Sequence, residues 1–343
     1  MRLGVCLSLS GRYARFGAMA AAGLRAWAGM RPDIELIVED DRSEPQLVRA
    51  GLRRLATGCD LLLGPYSTVL TREACAVAAE DGLLLWNHGG AGDDVQGMSP
   101  GHMVSVLTPA SRYTEPFIDW LSREPHRGPA AVLAVLRGRG QFGRQVVAGA
   151  RSAAERLGLK AVLLGPEAAP RAPVEHPLRW DLLCAGSFEE DVEAVGWGRS
   201  LPWPPRSICA VAAGVREFGS AVGDPAGIQG LAQWSPGDAG TVDVGRSEAQ
   251  FLRAYRTVAG GEPDYPAVQA AAAAELAVHC TAIAGSIDPA SVWRTASRLR
   301  ATTLFGAFAV DPFSGLQTGH RTVMVHWAEG QPAGPRRGAL AAA

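Results

Sequence analysis

Two adjacent hydroxyl residues, Ser67 and Thr68, follow a run of three leucines and stand where a helix is predicted to begin. Serine and threonine favour helix starts because the side-chain oxygen accepts a hydrogen bond from a backbone N–H of the first turn. The other N–H groups of that turn point outward at the positive end of the helix dipole, where they can hold a carboxylate or another anion. The stretch therefore allows two interpretations: Thr68 caps its own helix, or it belongs to an anion-binding site.

A glycine turn, His88-Gly89-Gly90-Ala91, follows the next apolar run. Glycine lets the backbone approach a ligand closely. Open parallel sheets bind ligands beyond the carboxyl ends of their strands, and both this turn and Ser67 are predicted to lie there. His88 could serve as a base, although a histidine in a polar turn is more often structural or a hydrogen-bond donor to a ligand.

A competing motif is the literal G-x-G-x-x-G of Gly138, Gly140 and Gly143. It lies between a predicted strand and a predicted helix, which is the context of a dinucleotide site, and Glu167 follows at a suitable distance for a ribose contact. The alternative function is therefore a nicotinamide- or flavin-dependent oxidoreductase. Bulky Arg139 and Phe142 at the variable positions argue against it. Hydrolase chemistry is less favoured still, because the sequence contains no G-x-S-x-G elbow and no H-E-x-x-H pair.

The composition of the chain excludes several classes of protein. The chain has 343 residues, 47% of them hydrophobic and 20% charged, so it is long enough for two globular domains. A net charge of −1 offers no basic field for nucleic acid or for an anionic membrane surface. The six cysteines are scattered without a C-x-x-C pair, which predicts neither a zinc site nor a disulfide framework and favours a reducing compartment.

Neither a membrane span nor a leader is predicted. No apolar run reaches the ~18 residues of a span, because Glu275 interrupts the alanine-rich stretch, and we expect no membrane insertion. The box Leu3-Gly-Val-Cys6 is similar to a lipoprotein cleavage site, but a signal peptide needs an apolar core of ~7 to 15 residues ahead of it. The expectation is a cytoplasmic protein as given, or a periplasmic or extracellular one if a leader was removed.

Strand and helix patterns alternate along the whole chain. In the first hundred residues, predicted strands RLGVCLSL, IELIVED, DLLLG and GLLLWN alternate with predicted helices at 17–30, 45–56 and 69–80. The alternation restarts with a strand at 130–136 and a helix at 142–157, followed by the strands LKAVLL, WDLLCAG, SICAVAAG and GIQGLAQW with a polar helix from Phe188. It ends with helices at 247–258 and 268–283 and the strand TVMVHW. Such alternation predicts an α/β fold with two doubly wound parallel-sheet lobes.

Seven segments in order carry a family resemblance: LGVCLSLSGRYARFG, LIVEDDRSEP, LLLGPYSTVLT, NHGGAGDD, AVLRGRGQFG, DYPAVQA and TLFGAFAVDPFSGLQTG. Over about Arg2 to Trp327 the chain resembles type I periplasmic binding proteins. It is most similar to the leucine/isoleucine/valine-binding branch, which includes cytoplasmic amide sensors.

The resemblance implies a non-catalytic protein without a cofactor or metal, whose two lobes close by a hinge on a small-molecule ligand. It implies crossovers near residues 113, 240 and 321, so that lobe 1 is 1–112 plus 240–320 and lobe 2 is 113–239 plus 321–335, followed by a disordered tail at 336–343. The partner would be the permease of an ABC importer or a regulator protein. The two roles remain open.

The resemblance also implies ligand-binding positions: Tyr13, Phe16, Ser67, Thr68, Gly89, Gly90, Phe142 and Ser187. Two departures from the family pattern matter. Ala91 stands where amino-acid binders carry a hydroxyl, and Ser187 stands where a tyrosine is common. A hydrogen bond to a charged group contributes ~1.5 to 3 kcal/mol. The expected ligand is a small polar or aromatic metabolite, an amino acid, a carboxylic acid or an amide; the two departures disfavour a free leucine-type amino acid and favour a carboxylic acid, an aromatic compound or an amide.

Three further residues have two interpretations each. Glu217 could balance a ligand ammonium, but a glutamate at a helix start is more often solvated. Trp234 and Tyr265 could line the cleft between the lobes, although large aromatic side chains are as often part of a core.

Overall fold

The computed structural model describes residues 1–124, 131–165, 179–328 and 330–334. The chain forms two compact units. Unit 1 contains residues 1–109 and 236–321, and unit 2 contains residues 110–235 and those from 322 onward. The crossovers predicted near residues 113, 240 and 321 stay a prediction. Glu167 and the predicted tail at 336–343 lie outside the described residues.

The strands, in chain order, are β1 (Arg2–Leu7), β2 (Glu35–Asp40), β3 (Leu61–Leu63), β4 (Leu85–Asn87), β5 (Met103–Ser105), β6 (Val132–Arg137), β7 (Lys160–Leu164), β8 (Trp180–Ala185), β9 (Ser207–Ala210), β10 (Ile228–Ala232), β11 (Ala301–Thr303), β12 (Gly306–Phe308), β13 (Val323–Ala328) and β14 (Gln331–Ala333). The α-helices are α1 (Ala14–Ala28), α2 (Pro45–Ala56), α3 (Thr68–Glu80), α4 (Asp93–Gln96), α5 (Glu115–Arg123), α6 (Gly140–Arg156), α7 (Phe188–Ser200), α8 (Glu217–Val222), α9 (Glu248–Ala259), α10 (Tyr265–Ala284) and α11 (Pro289–Arg298).

Unit 1 is built on a five-stranded sheet in the order β2-β1-β3-β4-β5. All of its strand pairs are parallel, as the alternation of strands and helices predicted. Strand order reverses between β1 and β3, so the switch point lies at the carboxyl ends of these strands. The loops that follow β1, β3 and β4 therefore share one edge of the sheet.

Helices cover both faces of the unit 1 sheet. On one face α2 and α3 form a core in which Val48, Leu52 and Leu70 are buried together with Leu62 and Leu85 of the sheet. Elsewhere in unit 1, α1 packs along α10, and α10 contacts β3 and β4. The α1–α10 contact is close: a Cβ at Gly23 would lie 2.1 Å from the carbonyl oxygen of Ala267.

The helix α10 has the length and hydropathy of a membrane span, but most of its residues are buried inside unit 1. Its Glu275 carboxylate accepts hydrogen bonds from Trp27 Nε1 at 2.7 Å and from Arg31 Nη1 at 3.0 Å. Both donors belong to α1 or to the turn that follows it. The carboxylate therefore ties α10 to α1, and α10 is a core helix of unit 1.

Unit 2 is built on a seven-stranded sheet in the order β14-β13-β10-β9-β8-β6-β7. The strands from β6 to β10 pair in parallel, whereas β13 and β14 are antiparallel. The doubly wound parallel sheet predicted for this lobe is confirmed, and it carries two antiparallel strands at one edge. The register pairs Ala232 with Val323, so β13 begins where β10 ends and must run back along it.

Several elements were not predicted from the sequence. They are the strand β5, the helices α5 and α11 and the hairpin of β11 and β12. Each strand among them has three residues, which are too few to show a hydrophobic period. The equally short β3 was predicted because it is a run of three leucines.

We expect Glu275→Ala to lower the free energy of unfolding by about 3 kcal/mol, because it leaves the buried Trp27 N–H without its acceptor and removes one of the two carboxylates that pair with Arg31. Chemical denaturation measures the change. Glu262→Ala is the control, since its ion pair with Arg256 is exposed and should contribute less than about 1 kcal/mol. Equal losses in the two variants would contradict this role of Glu275.

Candidate functional site

Ser67 forms the junction between β3 and α3. Its Oγ accepts a hydrogen bond from the Leu70 N–H at 3.3 Å, which makes Ser67 the helix cap. Its own N–H donates to the Gly89 carbonyl at 3.1 Å. The backbone at Ser67 has φ 99° and ψ 145°, a conformation that residues other than glycine rarely adopt. The interpretation of Thr68 as the cap is therefore wrong, because the preceding residue fills that role.

Thr68 is the first residue of α3 and is buried. Its Oγ1 accepts a hydrogen bond from the Gly92 N–H at 3.2 Å. Within the described part of the chain, no group accepts a hydrogen bond from the Thr68 hydroxyl or from the backbone N–H groups of Thr68 and Val69. These three donors lie at the positive end of a thirteen-residue helix. They form a site for an anion.

The glycine turn after β4 is organised by Asn87. Its Oδ1 accepts hydrogen bonds from the Gly89 N–H at 3.1 Å and the Gly90 N–H at 2.7 Å. Its Nδ2 donates to the Gly90 carbonyl at 2.9 Å and to Ser105 Oγ at 2.8 Å. Both glycine N–H groups thus already have an acceptor, and the contact of the Gly89 and Gly90 backbone with a ligand stays a prediction. Among the described residues the Ala91 N–H has no acceptor.

Gly89 and Gly90 lack a side chain for a packing reason. A Cβ at Gly89 would lie 2.4 Å from the Tyr66 Cα, and a Cβ at Gly90 would lie 2.5 Å from the Thr71 Cβ. The turn after β4 is thus pressed against the start of α3. The sequence indicated close approach at these glycines, but the partner is the protein itself.

Aromatic side chains line the same edge of unit 1. The rings of Phe16 and Tyr66 stack with centroids 4.6 Å apart, and the hydroxyls of Tyr66 and Tyr265 are 3.2 Å apart. We call Phe16, Tyr66 and Tyr265 the aromatic wall. Tyr66 was missed in the sequence, although it directly precedes Ser67. Tyr13 is half-buried against the core of α2 and α3, and the guanidinium of Arg12 lies 5.7 Å from the centre of its ring.

His88 is fully buried at the carboxyl end of β4. Burial lowers the pKa of its imidazole to about 4, because the charged form would lose its hydration. Neither ring nitrogen has a hydrogen-bond partner within the described residues. The neighbouring Gly64 carbonyl partly opposes the shift of the pKa without reaching hydrogen-bond geometry. The ring is neutral at neutral pH, and no carboxylate orients it as a base.

The remaining predicted residues belong to unit 2. Phe142, in the first turn of α6, packs edge-on against Tyr113 with ring centroids 5.5 Å apart. The hydroxyl of Ser187 caps α7 in a capping box with Glu190, so its role within unit 2 is structural. Glu217 is exposed at the start of α8, and Trp234 is buried after β10. The contact of these four residues with a ligand stays a prediction.

The glycine loop of unit 2, residues 138–143, is in close contact with other residues of unit 2. A Cβ at Gly138 would lie 2.3 Å from the Gly186 Cα, and the Arg139 N–H donates to Glu190 Oε1 at 2.9 Å. Desolvation would raise the pKa of Glu190, but hydrogen bonds from backbone N–H groups outweigh it and lower that pKa. The carboxylate is therefore charged at neutral pH, and it occupies the N–H group that a pyrophosphate would need.

The fold is that of a two-unit α/β protein, and the donors at the start of α3 lie at the switch point of the unit 1 sheet. The chain belongs to the periplasmic binding protein family, whose model matches residues 1–175. This match confirms the resemblance inferred from the seven segments. A comparison with curated proteins gave no match. The family match gives no support to the oxidoreductase alternative.

Solved structures share the fold over almost the whole chain. A leucine binding protein from Thermotoga maritima superposes with a TM-score of 0.80 at 14% identity, covering 98% of this chain and 97% of its own. A branched-chain amino acid transporter substrate binding protein from Streptococcus pneumoniae, in complex with isoleucine, gives 0.77 at 16% identity, with 98% and 99% covered. A solute binding protein of an ABC transporter from Rhodopseudomonas palustris, in complex with 3,4-dihydroxybenzoic acid, gives 0.77 at 15% identity, with 97% and 94% covered.

We expect Ser67→Gly to raise the free energy of unfolding by about 1 kcal/mol, because glycine removes the backbone strain and is nearly as good a cap as serine. Ser67→Ala should lower it by about 1 kcal/mol, since alanine keeps the strain and loses the cap. Urea denaturation of both variants measures the two signs. Destabilisation by glycine as large as that by alanine would contradict the strain.

The free energy of unfolding should decrease as the pH is lowered, because of His88. The pKa is lowered from 6.5 to about 4 in the folded protein, so the contribution is complete above 6.5 and is lost as the pH falls towards 4. The loss should be about 3 kcal/mol. His88→Leu should remove this part of the pH dependence in denaturation curves between pH 4 and 7. His279→Gln, at a half-buried position of α10, is the control, and an unchanged profile in His88→Leu would refute the assignment.

Proposed function

We propose that this protein binds a small carboxylate, without catalysis, at the carboxyl edge of the unit 1 sheet. The observation that carries the proposal is the set of open donors at the start of α3: the Thr68 hydroxyl and the N–H groups of Thr68 and Val69. A carboxylate has acceptor sites for all three, and the helix dipole favours its charge.

The aromatic wall supports an apolar or aromatic body for this ligand. Binding sites for small molecules combine apolar walls with a few polar anchors, and Phe16, Tyr66 and Tyr265 supply such walls beside the donors. The rings of Phe16 and Tyr66 are stacked with their planes nearly parallel at 9°, and an aromatic stack of this kind suits a further planar ring. At Ala91 no hydroxyl is present to bind an ammonium group, and this favours carboxylates over free amino acids.

The ligands of the structural neighbours support a carboxylate-binding site at the start of α3. Leucine, isoleucine and 3,4-dihydroxybenzoic acid differ in their bodies but share a carboxylate. An anchor for the shared group and a variable wall for the body would account for this range. We extend the carboxylate, and not the identity of any one ligand, to the present chain.

The physiological role that we propose is delivery of the ligand to the permease of an ABC importer, in the periplasm or outside the cell. The family supports this role and this location. Cytoplasmic sensing of the same ligand through a regulator is the alternative. Binding of the loaded protein to the permease encoded nearest its gene would distinguish them, since a sensor would not bind it.

A thermal-shift screen of amino acids, aromatic acids and amides should identify the ligand, because binding to the folded state raises its apparent stability. Thr68→Val should then weaken binding of that ligand roughly ten-fold or more, since it removes a hydrogen bond to a charged group. Thr68→Ser keeps the hydroxyl and should bind like the wild type. Calorimetric titration of the three proteins measures the affinities. Undiminished binding by Thr68→Val would refute the site.

A further inference from the structure

Among the buried polar side chains of unit 1, two have both of their polar atoms without a hydrogen-bond partner in the described residues. They are His88, which is fully buried, and Gln269 of α10, which is 1% exposed. Both ring nitrogens of His88 and both ends of the Gln269 amide are unsatisfied. Buried polar groups in native proteins are almost always paired, and each exception calls for an explanation. Something outside the chain is expected to satisfy these four atoms.

Contacts on both sides join these residues to the candidate site. His88 precedes Gly89, whose carbonyl accepts the Ser67 N–H. Tyr66, the residue before Ser67, shares a hydrogen bond with Tyr265 in the first turn of α10. Gln269 follows Tyr265 by four residues and so lies on the same face of the helix. Because α10 packs on β3 and β4, Gln269 belongs to the helix that covers the strand ending directly before His88.

The hydrogen-bonding groups of His88 and Gln269 determine which ligand group they can bind. A neutral imidazole offers one donor and one acceptor, and a glutamine amide offers two donors and one acceptor. Neither group can compensate a buried charge, so a second carboxylate or an ammonium is excluded by its desolvation. A hydroxyl both donates and accepts, and it matches the pair.

We propose that His88 and Gln269 form a second polar subsite, which receives a hydroxyl group at the end of the ligand remote from its carboxylate. The proposal rests on the proposed function, since the carboxylate must first be held at the start of α3. The preferred ligand is then a hydroxylated, apolar or aromatic carboxylate. When an acid without the hydroxyl binds, the four polar atoms of His88 and Gln269 stay without a hydrogen-bond partner or bind water.

The test compares the affinities of benzoate, 3-hydroxybenzoate and 4-hydroxybenzoate by calorimetric titration. The wild type should bind one of the hydroxylated acids about ten-fold more tightly than benzoate. His88→Leu and Gln269→Leu should bind that acid and benzoate with equal affinity. Thr281→Val is the matched control: it removes another buried hydroxyl without a partner on α10, three turns away from Gln269, and should keep the preference.

Three results would overturn the subsite. They are a wild type that binds benzoate as tightly as both hydroxylated acids, a preference that survives in both leucine variants, and a preference lost equally in Thr281→Val. Failure of the proposed function looks different, because then none of the three acids binds or Thr68→Val leaves benzoate binding unchanged. Thermal unfolding without ligand shows which variants fold, and Gln269→Met replaces any leucine variant that does not.

Discussion

The candidate site depends on the contact between the loops that follow β3 and β4. The Ser67 N–H donates to the Gly89 carbonyl, and the Gly92 N–H donates to Thr68 Oγ1. These two bonds hold the start of α3 against the glycine turn. Asn87 also holds the turn from inside, through the N–H groups of Gly89 and Gly90 and the Gly90 carbonyl, so the turn is braced before any ligand arrives. Preorganisation of this kind reduces the entropy lost on binding.

The same contact explains which donors remain open. Each backbone group that stabilises the loop pair is unavailable to a ligand, and this applies to the N–H groups of Gly89 and Gly90. The first N–H groups of a helix have no partner within the helix, so those of Thr68 and Val69 stay free by geometry alone. The strained backbone conformation at Ser67 turns the chain from β3 into α3. It does so while the Ser67 N–H still donates to the Gly89 carbonyl.

The sequence predicted the fold of unit 1 well, and for a physical reason. Its strands are apolar runs bounded by glycine and polar residues, and α2 was placed at its observed bounds because Pro45 marks a helix start. The antiparallel edge of unit 2 was not predicted, since strand direction depends on where the chain enters the sheet and not on the residues of β13.

The site was predicted less completely than the fold. Hydroxyl residues near a strand end pointed to α3, but which of them caps the helix depends on a single backbone angle at Ser67. The role of the glycines could be assigned only when their neighbours Tyr66 and Thr71 were known. Tyr66 carries no signal in the sequence beyond its position, because its importance comes from contacts with Phe16 and Tyr265, which are distant along the chain.

The helix α10 shows how one element serves both the core and the site. Its alanines allow α1 to approach closely, which would suit a helix that has only a structural role. A purely structural helix would gain nothing from a buried glutamine without a partner, because such a group costs about 1 to 3 kcal/mol. Glu275, in contrast, is paired with Trp27 and Arg31. Gln269 and Thr281 are buried on α10 without a partner among the described residues, and Gln269 is the one closer along the helix to Tyr265 of the aromatic wall.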